Sequence, residues 1–317
     1  MEVEQLVAQV RSLLSEFNDS AIEDARDIVP ALNRGQKEAA SIIARKYPSL
    51  LMDQVFVTTV PNQTAYFIPT EAYEDRLLQM DLLIPGGNPQ NGNYIQIKGI
   101  DYSNASAYEN RATSQYPRYY YIIGRQFRLI PTPANEVQIR LSIVKDPEPL
   151  VLPYGRITSI GTNSLLVDEV RNSPSTTTSN LKGFVNVVDG RTGRIKGTVQ
   201  LSSIDAEADR FLTSATPTRT EVLGRTVGTL ADVTDVALDD FVCPIEGTCV
   251  TAVKDPVPNF LINWAKEDCA GSLGSTSEQM RDRFADQLET MGVMREPTLR
   301  VKRTKGLNQY RGRYIDR

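Results

Sequence analysis

The chain has 317 residues, of which 40% are apolar and 23% charged, and its formal net charge is −4. These values lie near the averages of globular proteins, so they exclude wholesale disorder, and the net charge gives no general attraction to nucleic acid or anionic membranes. The chain contains no histidine, which excludes Ser-His-Asp and Cys-His nucleophile systems and every zinc site that uses histidine. Carboxylate pairs, lysine nucleophiles and Mg²⁺ sites stay open. The composition nevertheless favours a structural protein that is not an enzyme and needs no cofactor.

The sequence does not suggest a membrane or secreted protein. No apolar run approaches the roughly 20 residues that span a bilayer, and residues 1–14 lack the basic start of a signal peptide. Cys243, Cys249 and Cys269 are an odd number without CxxC spacing. This pattern predicts reduced thiols that act as small core residues in a cytosol-like compartment. We therefore expect no membrane partner.

Two amphipathic helices are predicted at the start of the chain. Apolar side chains recur between residues 3 and 17 with the i, i+3, i+4, i+7 spacing of one helix face. A second helix is predicted at 28–47, where Asp27 can cap the N-terminus. Pro30 falls in its first turn, the place in a helix where proline is tolerated. We expect the two apolar faces to pack together.

After Pro48 apolar residues recur at every second position instead of at the spacing of a helix face, which predicts strands. Gly124 and Arg125 separate two of these strands, and a two-residue turn with glycine first is typical of a type II′ β-hairpin. The result is an antiparallel β-region. Its predicted strands are 55–60, 64–68, 77–84, 94–100, 118–123, 127–130 and 137–144.

The composition changes at 151–241, where aromatic residues become rare and Thr, Ser, Gly, Val and Asp dominate. Short β-like runs between turn clusters predict a small all-β module inserted into the main domain. Helical patterns return at about 256–270 and 276–291. The second of these helices would start from a capping box at 275–278.

The predicted fold class is α+β. A helical bundle, formed by the N-terminal helix pair and the C-terminal helices, would carry the antiparallel β-region and the inserted all-β module. Three parts are predicted: a core of residues 1–150 plus 242–296, the module 151–241, and an extended basic C-terminal arm, 297–317.

Two loops could carry chemistry, but each has a simpler interpretation. The loop 190–194 reads GRTGR, yet it lacks the spacing of a phosphate-binding loop and is explained by a hairpin turn. The carboxylates of Asp232, Asp235, Asp239 and Asp240 could bind Ca²⁺. The EF-hand spacing is absent, and a solvated loop is the simpler interpretation.

Three consecutive tyrosines, 119–121, lie beside Arg118 and Arg125 and could stack on nucleic acid bases. A β-hairpin whose aromatic side chains alternate between core and surface explains them more simply. We therefore predict a structural role for this segment.

The C-terminal arm is strongly basic, with seven Lys or Arg residues against one acid, Asp316. A solvated end is one interpretation of such a segment. The other is an arm that becomes ordered on a partner, because Tyr and Arg side chains anchor interfaces. We favour the second, since aliphatic and tyrosine side chains are spaced along the arm. The predicted binding residues are Arg300, Lys302, Arg303, Lys305, Leu307, Tyr310, Arg311, Arg313, Tyr314 and Ile315.

Several short motifs occur in a fixed order along the chain. The most telling are TTVPNQTAYFIP at 58–69, PRYYYIIGRQFRLIPTP at 117–133 and NFLINWA at 259–265. The others are LNRGQ at 32–36, IIARKYPSL at 42–50 and RLLQM at 76–80. Together these motifs resemble the head-to-tail adaptor (connector) proteins of tailed bacteriophages. The resemblance covers roughly residues 1–150 and 240–317. It does not cover the inserted module, whose role it leaves open.

The resemblance implies a virion protein of the neck, between capsid and tail, that is assembled in the host bacterial cytoplasm. It implies a ring, commonly of about twelve copies, that binds beneath the portal protein through the C-terminal arm. The implied partners are the portal protein, a tail protein (nozzle, tube or tail-completion protein) and other copies of the chain. Double-stranded DNA would pass through the ring without specific binding.

Two alternatives from other classes stay open at this point. One is a tail-associated binding protein that uses the module 151–241 to recognise carbohydrate or protein. The other is a carboxylate-dependent glycosidase, which needs two facing acids in a cleft. The scarcity of aromatic residues in the module counts against stacking on sugars.

Overall fold

The computed structural model describes residues 1–14, 22–84, 93–109, 116–171, 183–233, 235–251 and 256–295, with the backbone alone for 291–295. These residues form five α-helices and fifteen strands in two sheets, one of which closes into a six-stranded barrel. The protein is therefore mostly β. The predicted fold class, with a helical bundle as the core, is wrong.

The helices lie at the two ends of the chain, apart from one short helix in the middle. Helix α2 follows a π-helical turn at Asp24–Ile28 and is itself followed by a 3₁₀ turn at Pro48–Leu51. Pro30 falls in its first turn, as predicted. The helices are α1 (Val3–Leu14), α2 (Val29–Lys46), α3 (Tyr102–Glu109), α4 (Val257–Cys269) and α5 (Leu273–Arg295).

Helices α1, α2, α4 and α5 share one apolar core. Phe260 of α4 packs against Phe284 of α5, with ring centroids 4.5 Å apart and the ring planes tilted by 30°. Gly35 of α2 lies against Trp264 of α4, and a Cβ at Gly35 would meet the indole ring at 3.0 Å. Helix α5 begins three residues before its predicted start because the Leu273 side chain packs on this core.

The first sheet has seven strands in the order β1-β7-β3-β4-β5-β6-β2. All neighbours are antiparallel except β4 and β5, which are parallel. The sheet curls around its own apolar core, to which Phe127, Ile139 and Leu141 contribute fully buried side chains. The strands are β1 (Met52–Thr58), β2 (Ala65–Phe67), β3 (Ala72–Leu83), β4 (Tyr94–Gly99), β5 (Tyr119–Ile123), β6 (Gln126–Ile130) and β7 (Gln138–Lys145).

The second sheet contains the barrel. Its strands are β8 (Gly155–Ile160), β9 (Ser164–Val167), β10 (Phe184–Val188), β11 (Ile195–Asp205), β12 (Arg210–Thr213), β13 (Glu221–Val222), β14 (Arg225–Gly228) and β15 (Phe241–Pro244). The ring closes in the order β10-β15-β8-β9-β12-β11 and back to β10, while the β13–β14 hairpin extends from β11. A closed barrel leaves no free edge on its six strands.

The buried side-chain amide of Asn186 links strand β10 of the barrel to the turn that follows β15. Asn186 of β10 is fully buried, and its Nδ2 donates to the carbonyls of Ile245 (3.0 Å) and Gly247 (3.2 Å). Its Oδ1 accepts a hydrogen bond from Thr198 Oγ1 at 2.7 Å. All of its strong polar atoms are therefore paired, as a buried amide requires.

The error in the fold class has a physical reason. Periodicity along the chain identifies helices and strands, but it does not show which element other elements pack around. Each sheet here has its own buried core, so neither needs a helical bundle to cover it. The helices form a separate layer, which is joined to the barrel by ion pairs such as Glu4–Arg171 (2.9 Å) and Glu2–Arg156 (2.6 Å).

Candidate assembly surfaces

The residues predicted to bind a partner all belong to the C-terminal arm. They run from Arg300 to Ile315, and they lie outside the described residues. Their role as a binding arm stays a prediction.

The tyrosines 119–121 form a β-hairpin, as predicted. Strands β5 and β6 pair through a turn in which Gly124 has φ +55° and Arg125 has no positive φ, which matches type II′. Tyr121 is buried and donates a hydrogen bond to Glu109, while Arg125 pairs with Asp75 at 3.0 Å. Helix α3 covers this part of the sheet. These contacts give the aromatic run a structural role.

The four candidate Ca²⁺ ligands do not converge. Asp232 accepts a hydrogen bond from the backbone of Thr229, Asp239 pairs with Arg156, and the backbone carbonyl of Asp235 accepts a hydrogen bond from Lys196. In the part of the chain that the structure describes, no group of three or more acidic or Cys side chains could hold a metal ion.

A lysine side chain, that of Lys196, lies beside two of these candidate ligands, Asp235 and Asp240. Lys196 Nζ lies 2.8 Å from Asp240 and 3.3 Å from Asp189, and its side chain is only 13% exposed. Asp189 also accepts backbone hydrogen bonds from Arg191 (2.9 Å) and Thr192 (2.7 Å). The loop 190–194 is thus the turn between β10 and β11, as predicted, and the ion triad fastens it to the loop before β15.

The triad makes the stability of the barrel depend on pH. Backbone hydrogen bonds from Thr192 and Arg191, together with Lys196, lower the pKa of Asp189 to about 2. A carboxyl whose pKa is lowered by folding stabilises the fold above its unfolded pKa of about 3.9, and this contribution is lost as the pH falls towards 2. We expect Asp189→Asn to cost about 1–2 kcal/mol at pH 6, after allowance for solvent screening.

The measurement is urea denaturation of both proteins between pH 6 and pH 3. The difference in unfolding free energy between the parent chain and Asp189→Asn should narrow below pH 4. A constant difference across that range would show that the charge of Asp189 contributes nothing.

The outer face of the first sheet carries a charged and aromatic cluster that sequence reasoning missed. Asp81 of β3 is 3% exposed and pairs with Arg140 of β7 at 2.9 Å. The Arg140 guanidinium lies 3.8 Å from the ring centroid of Tyr94, and Gln79 donates to the other Asp81 oxygen at 2.7 Å. Strand register places Phe56 of β1 directly opposite Arg140.

Exposed apolar side chains lie on the two strands at the ends of this sheet, β1 and β2. Met52 and Phe56 of β1 are 48% and 43% exposed, and Val60 just after the strand is 52% exposed. Phe67 of β2 is 72% exposed. Protein interfaces are enriched in Met, aromatic and Arg side chains, and exposed apolar patches commonly mark such interfaces. The seven-stranded sheet is therefore a candidate assembly surface.

None of the described helices combines the length and the apolar character needed to cross a bilayer. The three cysteines are free thiols, with Cys243 and Cys249 buried and Cys269 partly exposed.

The described residues thus present exposed apolar side chains that are suited to contacts with other proteins. The model of the SU10 adaptor protein family matches residues 1–167, more than half of the chain. The chain belongs to this family. Membership indicates a bacteriophage adaptor, a structural component of the virion that binds other phage structural proteins rather than an enzyme. No curated protein matches the chain.

Proposed function

We propose that the protein is a head-to-tail adaptor. Copies of the chain form a ring that joins the portal protein to the tail and leaves a channel through which DNA is ejected. The observation that carries this proposal is the family match over 1–167, which spans helices α1 and α2 and the whole seven-stranded sheet. The exposed side chains of Met52, Phe56 and Phe67 on that sheet supply apolar surface for contacts between proteins.

The C-terminal arm supplies the contact with the portal in this proposal. Its aromatic residues, Tyr310 and Tyr314, anchor it, and its basic residues steer the encounter. The chain without the arm is acidic, because the arm holds seven of the basic residues and the whole chain still carries a net charge of −4. An acidic channel wall suits DNA passage, since like charges do not adhere.

A carbohydrate-binding role for the barrel is less well supported. Among the described residues, Phe184, Phe211 and Phe241 on its strands are buried, and the partly buried Tyr154 lies against Phe211, with ring centroids 6.4 Å apart. Stacking on sugars requires exposed rings. We therefore propose that the barrel is a structural addition to the adaptor.

Native mass spectrometry of the chain mixed with its portal protein tests the proposal. We expect complexes with several copies of the chain for each portal assembly, at a fixed stoichiometry. The chain alone serves as the control, because an arm that becomes ordered on its partner can make assembly conditional on the portal. A chain that stays monomeric and does not bind the portal would contradict the proposal.

A further inference from the structure

Strand β1 lies at an edge of the sheet, where the outward Gln54 N–H donates to Asp53 Oδ1 at 2.8 Å. It pairs with β7 in one uninterrupted register from Met52 to Thr58, and no other strand of the described residues pairs with it. Thr59 N–H donates to Val137 O at 2.9 Å. Because hydrogen-bonded pairs alternate along an antiparallel ladder, the backbone groups of Gln54, Phe56 and Thr58 point away from β7.

Most of this edge lacks the features that usually prevent strands from pairing between molecules. Such features are short length, proline, bulges and charged side chains, and the one charged residue of β1, Asp53, lies near its start and pairs with Lys145 of β7 at 3.3 Å. Strand β1 has seven residues and contains neither proline nor lysine, and its exposed side chains include Met52 and Phe56. At the other end of the sheet, β2 is only three residues long and lies between Pro61 and Pro69. Of the two edge strands of this sheet, β1 is therefore the one that can receive an added strand.

The core of the sheet is also open at this edge. Val55 and Val57 point inwards but stay partly exposed, whereas Leu141 and Ile139, directly opposite on β7, are fully buried. One more strand beside β1 would cover the two valines. Its residues opposite Val55 and Val57 must be apolar, and those opposite Gln54 and Phe56 can be polar or charged.

The chain itself contains a segment with this pattern. Leu299 and Val301 alternate with Arg300 and Lys302, a few residues after the end of α5 at Arg295. The other segments outside the described residues have no such alternation of aliphatic and charged residues in their sequences. When Leu299 and Val301 cover the valines, Arg300 is on the outer face, where it can stack on an aromatic ring such as Phe56.

We propose that β1 receives residues 298–302 of another copy of this chain as an added strand. The inference rests on the proposed function, because it supplies the contact between neighbouring copies in the ring. Residue 298 is only three residues beyond Arg295. With at most about 3.5 Å per residue and about 4.8 Å between paired strands, the end of α5 in one copy must lie within roughly 15 Å of β1 in the next.

Cross-linking between full-length copies tests this contact. One sample carries Gln54→Cys and a second carries Arg300→Cys, both with Cys269→Ser. Cys243 and Cys249 are buried and stay in place. The two samples are mixed with portal protein and treated with a short bismaleimide, which joins two thiols without a redox step. We expect a two-copy product and a matching decrease in the single-chain band.

The matched control replaces Gln54→Cys by Ser159→Cys, an exposed position on the barrel strand β8, which should give no product. Rings on the portal without the Gln54–Arg300 product would overturn the inference while the proposed function stands. One chain that carries both cysteines should not cross-link internally at high dilution; if it does, its own arm occupies the edge and the inference is also wrong. Because Arg300 is also among the residues predicted to bind the portal, the parent chain is mixed with portal protein in parallel. If the parent chain forms no complex with the portal, the proposed function fails and the inference fails with it. If only the Arg300→Cys sample forms none, Arg300 serves the portal contact and the inference alone is wrong.

Discussion

Arg140→Ala is expected to lower the unfolding free energy by about 2–4 kcal/mol. The substitution leaves the Asp81 carboxylate 3% exposed and without its cation. Removing one partner of a buried ion pair costs about 3–5 kcal/mol, because a charge then stays buried without compensation. We place the expected loss somewhat lower because the Arg140 side chain is 23% exposed and water can partly replace it. Urea denaturation, followed by circular dichroism, measures the change.

A double substitution separates the buried charge from lost packing. Asp81→Leu with Arg140→Met removes both charges and keeps apolar volume, so it should recover most of the stability that Arg140→Ala loses. Arg140→Lys keeps the charge but cannot reproduce the planar contact with Tyr94, 3.8 Å away, and should fall between the two. Equal stability of Arg140→Ala and the parent chain would show that Asp81 is not held by Arg140.

Deletion of residues 296–317 is expected to abolish attachment to the portal and to leave the fold intact. The helical core is completed by Phe284 and Leu288 of α5, and both precede the deletion. Sedimentation of the truncated chain with portal protein measures attachment, and circular dichroism checks the fold. A complex of full strength formed by the truncated chain would mean that the arm has no binding role.

Substitutions inside the arm separate the contribution of its aromatic residues to portal binding from that of its basic residues. Tyr310→Ala with Tyr314→Ala should weaken portal binding at every ionic strength, because buried aromatic contacts do not depend on salt. Replacing Lys302, Arg303 and Lys305 by Ser should weaken it most at low salt, since screening already suppresses charge attraction at high salt. A shorter deletion, 306–317, keeps the segment proposed to pair with β1 and removes only the distal arm.

Local structure could largely be predicted from the sequence. The second helix, predicted at 28–47, is observed at Val29–Lys46, and the hairpin at Gly124 has the predicted turn. Apolar period and turn residues are local signals, so they need no knowledge of the fold. The arrangement of these elements was not predictable in the same way. The prediction of a helical-bundle core was wrong because each sheet closes around an apolar core of its own, and the sequence does not show this closure.

The ion pairs of the two sheets join residues that are distant in the sequence. Asp81 and Arg140 are 59 residues apart, and Lys196 and Asp240 are 44 apart. Only the pairing of β3 with β7 and the closure of the barrel bring them together. The free edge of β1 also depends on strand order, which no periodicity along a single segment contains. The composition did indicate a non-enzymatic protein, in agreement with the adaptor family.

Electron microscopy of the chain bound to its portal protein tests the head-to-tail adaptor most directly. We predict a closed ring of identical subunits, about twelve in number, on the tail side of the portal, with an open central channel and the arm of each subunit against the portal. Subunits bound elsewhere, or an assembly without a continuous channel, would contradict the adaptor function.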